Sequence, residues 1–94
     1  MLNLLPILGD LAAHASSTEL KTRPKTRAQF LRLTFPRSAV DAVPGINGLV
    51  DAGVAFRVRT GRVRRDFDGS RWTESTSRGP AHVHGALLVE VPLS

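Results

Sequence analysis

No cysteine occurs among the 94 residues, so no disulfide or thiolate–metal site staples this chain, which fits a reducing compartment. No glycine-rich loop runs into Lys-Ser or Lys-Thr, which excludes a phosphate-loop ATPase. Ser, His and Asp all occur, but nothing orders them into a triad and no glycine elbow surrounds a serine, so no enzyme is expected. Acidic residues are the minority: eight against eleven arginines and two lysines, a net charge of +5. That surplus fits either the solvated surface of an arginine-rich protein or a polyanion or anionic membrane surface as partner. The length allows a single domain with a modest core, a size at which folds often lean on a staple or a partner.

What is present centres on residues 54–63. Val54, Phe56 and Val58 alternate with Ala55, Arg57 and Arg59, the pattern of a strand with one buried and one wet face. Gly61 interrupts the count, and a bulge at Thr60-Gly61 would return Val63 to the buried side. Arg57, Arg59, Arg62 and Arg64 would then share the exposed face.

Residues 1–15 carry Leu2, Leu4, Leu5, Ile7, Leu8 and Leu11. No Lys or Arg precedes this run, Asn3 and Pro6 interrupt it, and it is too short to span a bilayer. It is expected to be an amphipathic helix with Pro6 in its first turn and Ile7, Leu8, Leu11 and Ala15 on one stripe, rather than a signal peptide. Residues 16–28 hold no apolar period and read as a basic flexible linker, in which Lys21, Arg23, Lys25 and Arg27 form a solvated hinge or a polyanion contact.

Phe30 to Phe35 alternates as a first strand, with Leu31, Leu33 and Phe35 opposite Arg32 and Thr34, and Pro36 ends it. Ser38 or Asp41 can cap a helix with Pro44 near its first turn. Ile46, Leu49 and Val50 form its apolar face. Gly45 and Gly48 weaken it by about 1 kcal/mol each relative to alanine, and Gly53 stops it. After the arginine strand, residues 66–80 read as a long excursion with a turn at Asp68-Gly69. Trp72 within it either folds back as a loop anchor or stands at a contact surface. His82 to Val91 is the last strand, with Leu87, Val89 and Val91 opposite Leu88 and Glu90. His82 and His84 would extend the cationic face as pH falls; two imidazoles alone assign no metal. The order helix, linker, strand, helix, strand, hairpin excursion, strand, with the last strand as partner of the arginine strand, predicts an α+β fold, a truncated split βαβ (β-α-β-β) of ferredoxin-like type with an extra N-terminal helix.

Phe30-Leu31-Arg32-Leu33-Thr34-Phe35, Pro44-Gly45-Ile46-Asn47-Gly48-Leu49, Val54 to Val63, and Gly85-Ala86-Leu87-Leu88-Val89-Glu90-Val91 together resemble the NIL domain. This is the C-terminal regulatory module of the ATP-binding subunit of methionine ABC importers. The resemblance covers residues 30–92 and implies a NIL-like domain over 29–94. The Asn-Ile-Leu of the family is Arg57-Val58-Arg59 here, the hairpin loop is longer, and the chain ends where the family's second helix would begin. The family pairs two copies and binds methionine to hold a transporter inactive. The resemblance therefore implies a cytoplasmic ligand-sensing module at the inner face of the membrane, working as a homodimer or transporter subunit without a cofactor.

Arg57, Val58, Arg59 and Gly61 fall at the ligand site so implied. Arg57 offers donors only, where asparagine offers a donor and an acceptor, so an amino-acid carboxylate or small anion fits better than methionine as such. Two other readings stand beside this one. One is a nucleic-acid binder that grips phosphates without stacking bases, since Phe35 and Phe56 lie on the buried parity. The other is a truncated fragment without independent function. A missing second helix would leave half of the sheet uncovered unless the N-terminal helix or a second chain covers it.

Overall fold

The computed structural model describes residues 4–37, 45–80 and 85–93. Helix α1 spans Leu5–His14 and strand β1 spans Ser17–Thr22, followed by β2 at Gln29–Pro36. Helix α2 is Gly45–Asp51, and the remaining strands are β3 at Phe56–Thr60, β4 at Val63–Phe67, β5 at Trp72–Thr76 and β6 at Ala86–Pro92. All six strands form one antiparallel sheet in the order β1-β2-β6-β3-β4-β5. The α+β class stands.

The strand order is more complex than the ferredoxin-like expectation. Both β2 and β3 run antiparallel to β6, so they are parallel to each other with one strand between them. In the expected order that slot belongs to the last strand, and β6 fills it; the added complexity is β1 outside β2 and the pair β4 and β5 outside β3. The inner place buries the most apolar strand: Leu87, Val89, Glu90 and Val91 are all buried.

Two stretches expected without regular structure are strands. Ser17–Thr22, assigned to the linker over 16–28, pairs along β2 from Ser17↔Thr34 to Thr22↔Gln29. The basic stretch after it closes a hairpin, with the Arg23 amide donating to the Ala28 carbonyl at 2.9 Å. Trp72–Thr76, placed inside a loop, pairs with β4.

Helix α1 lies where the stripe requires it. Pro6 stands in its first turn, Leu11 is fully buried, and Ile7, Leu8 and Ala15 pack against the core. It packs on α2 and β2, so the chain covers this part of the sheet with its own helix. Gly45 and Gly48 have a role that helix propensity hides. A Cβ on Gly45 would run into Leu11 Cγ, and one on Gly48 would stand 3.3 Å from Ile7 Cγ2. The glycines allow the two helices to approach closely. Gly53, at φ +68°, ends α2 with paired bonds from its own amide to Val50 O and from Val54 N to Leu49 O, a Schellman cap. The proposed cap residues Ser38 and Asp41, with Pro44, lie outside the described residues, as do His82 and His84.

Under the helices, Leu33, Phe35, Leu49, Phe56, Phe67, Leu87, Val89 and Val91 join Leu11 in one core. The helices leave the β4–β5 end of this face open. There Trp72 meets Phe56 edge-on at 5.3 Å and Phe67 at 5.2 Å, and stays 44% exposed. It is both an anchor and a surface. Beside it runs a mostly apolar groove of about 480 Å³, lined by Ile46, Val58, Val63, Leu87 and Trp72 and rimmed by Thr60, Arg65 and Glu74. No helix among the described residues is long and apolar enough to cross a membrane.

Candidate functional site

The face opposite the helices carries the chemistry. Parity places Arg57 and Arg59 of β3 there, and register adds Arg32 from β2, Glu90 from β6, and Arg64 and Asp66 from β4. Side chains on one face of a sheet meet across strands, so charge along a row decides whether the row attracts or repels.

One row runs Glu19, Arg32, Glu90, Arg57, Asp66 and Thr73 from edge to edge. Its five charges alternate in sign. Arg32 donates to Glu90 through Nε at 3.2 Å and an Nη at 3.0 Å, and Arg57 Nε donates to Asp66 Oδ1 at 2.7 Å. Glu90 is 2% exposed, so its charge depends on these partners.

The adjacent row runs Ser17, Thr34, Leu88, Arg59, Arg64 and Ser75. Here two arginines stand directly opposite each other, the repulsive arrangement. Each leans back towards an acid of the first row: Arg59 Nε lies 3.3 Å from Glu90 Oε1, and Arg64 Nε 3.3 Å from Asp66 Oδ2. The Arg59–Glu90 contact is misaligned. Both of those atoms are buried, and neither finds a hydrogen bond.

Beyond this pair the β3–β4 turn reverses the chain. Gly61 is not a bulge: Thr60 pairs with Val63 across the two-residue loop Gly61-Arg62, and Gly61 takes φ +59° at the first loop position, as a type II′ turn requires. Val63 returns to the buried side because the chain turns back. Arg62 stands in the loop, and its carbonyl accepts from the Ser77 amide at 2.9 Å, which brings the end of β5 alongside. Arg59, Gly61, Arg62, Val63, Arg64 and residues 75–77 line one depression of about 270 Å³. Three guanidinium groups and the hydroxyls of Ser75 and Ser77 offer donors to an anion, and among the described residues no carboxylate lines it.

The four residues expected at a ligand site therefore separate. Arg59 and Gly61 come together at this tip. Arg57 is held by Asp66 in the alternating row, and Val58 faces the helices, beside the apolar groove. Ser75 and Ser77 were hidden in a stretch read as loop, whose exposed strand carries no apolar period that could have found them. On the same face Phe30 is buried beneath Arg23, whose guanidinium lies 4.5 Å above the ring, so it offers no open surface for stacking a base. Among the described residues no cluster of three His, Cys, Asp or Glu side chains could hold a metal. Comparison with protein-family models, curated proteins and solved structures finds no match to this chain.

Proposed function

We propose that this chain is a non-catalytic ligand-sensing module that binds a small anion, a phosphate or the carboxylate of an amino acid, at the tip of β3, β4 and β5. The observation that carries this reading is the Arg59–Arg64 pair. Two cations face each other across strands, with Arg62 joining them and no acid among the described residues that line the depression. An anion there relieves the repulsion and gains charge-assisted hydrogen bonds. The parallel β2 and β3 joined through α2 and split by one strand also keep part of the ferredoxin-like plan. That plan and the segment order support kinship with the regulatory modules of amino-acid importers, and with it a cytoplasmic place beside a transporter.

Calorimetry with inorganic phosphate, L-methionine and a single-stranded oligonucleotide, each at low and raised salt, tests the reading. Binding of phosphate or the amino acid, weakened about tenfold or more by Arg62→Ala and by Arg64→Ala, is the expected result. Heat with the oligonucleotide alone, collapsing steeply with salt, would transfer the site to nucleic-acid backbones. No heat with any of the three removes it.

A further inference from the structure

Strand β1 is an edge of the sheet, with β2 on one side and, among the described residues, no strand on the other. An open edge presents unpaired amides and carbonyls, and proteins commonly blunt such edges with charge or proline. β1 reads Ser17-Thr18-Glu19-Leu20-Lys21-Thr22, without a proline, and its one large apolar residue, Leu20, is 59% exposed. Its two charges have opposite signs and flank Leu20 symmetrically on the open face, where Lys21 Nζ lies 3.3 Å from Glu19 Oε2. The strand is thus nearly its own complement when reversed.

We infer that β1 is the seam of a two-fold homodimer, in which the sheet of one copy continues antiparallel into the next. A two-fold axis perpendicular to the sheet keeps helix face beside helix face, and because directly opposed residues of an antiparallel ladder share a face, the axis must be centred on a residue. Centred on Leu20, the pairing sets Leu20 beside the partner's Leu20, Glu19 beside the partner's Lys21, and Thr18 beside the partner's Thr22. Centred one residue earlier it sets Glu19 against the partner's Glu19, and one residue later Lys21 against the partner's Lys21. The charges favour the register centred on Leu20 by attraction and oppose the earlier one by repulsion, while the later one sets Lys21 against Lys21 and is relieved only where Glu19 meets the partner's Arg23. The opposite edge lacks this complement: a pairing centred on the middle of β5 sets Glu74 against the partner's Glu74. The seam lies at the far side of the sheet from the anion depression, so it stands or falls independently of the ligand reading.

Sedimentation of the full chain, alone and as charge variants, tests the seam. The wild type is expected to dimerise, and Glu19→Lys and Lys21→Glu each to weaken the dimer about tenfold or more. Mixing those two variants restores association as a heterodimer, because each then presents the other's complement. The doubly swapped chain, Glu19→Lys with Lys21→Glu, also dimerises with itself. Far-UV circular dichroism confirms that each variant is folded, and Leu20→Thr replaces any charge variant that is not. A monomeric wild type overturns the inference, as does a dimer indifferent to these changes or a mixture that does not associate.

Discussion

Arg59 of β3 reaches diagonally to Glu90 of β6, with Nε and Oε1 3.3 Å apart, buried and out of hydrogen-bond alignment. Glu90 is held well only by Arg32, on its other side. Arg59 is the less firmly bound of its two cations, and it is the one that lines the anion depression. Removing the carboxylate leaves two guanidinium groups that are each about a third exposed, so they can turn to water. Glu90→Ala is accordingly expected to cost about 2 kcal/mol, below the usual loss for a fully buried pair. Glu90→Gln, which keeps an acceptor, should cost about half as much. Urea unfolding midpoints measure both, and equal midpoints for Glu90→Ala and wild type would show that these ion pairs contribute nothing net.

The helix crossing gives a second expectation. Alanine favours a helix over glycine by about 1 kcal/mol, yet Gly45→Ala is expected to destabilise by about 1–3 kcal/mol because its methyl meets Leu11. Leu11→Ala alone should cost about 2–5 kcal/mol. In that background Gly45→Ala should become harmless or favourable. A double-mutant cycle reads the coupling, and strict additivity would mean that the two residues do not touch.

Asp68 holds the β4–β5 loop by accepting from the amides of Ser70 and Arg71 and from the Ser70 hydroxyl. These bonds, led by that from Arg71, lower its pKa below the ordinary carboxylate value. The folded state therefore favours the charged form. The resulting stability is present above the unfolded-state pKa and disappears as pH falls through the lower folded value. Asp68→Asn should flatten the acid side of the melting-temperature profile; an unchanged profile would remove Asp68 from the acid response.

Trp72 closes the aromatic group over Phe56 and Phe67 while keeping one side wet. Trp72→Ala is expected to cost about 2 kcal/mol, less than for a fully buried ring. Its fluorescence in the wild type should be partly open to acrylamide. Complete protection would indicate that something covers the groove in solution.

The inner strands were legible because burial leaves a signature. Phe56 and Val58 on one face with Arg57 and Arg59 on the other followed from alternation alone, and so did the stripe of α1. The edge strands left no such signature. Glu19, Lys21, Thr73 and Ser75 sit among exposed neighbours, and without a buried face there is no apolar period to find. Gly61 marked the change of register correctly, but bulge and turn differ in what Arg62 to Phe67 pair with, and that is decided far along the chain. Gly45 looked like a weakness until Leu11 was placed against it. The anion depression escaped for the same reason: it joins a turn to the end of an edge strand.

The last strand in chain order is the keystone of the sheet. The hairpin of β1 and β2 and the meander of β3 to β5 both precede β6 in the chain, each with an inner border that β6 pairs. Neither can close until β6 lies between them. A stop before residue 86 would therefore not trim the molecule but leave two adhesive halves, each with an unpaired inner strand.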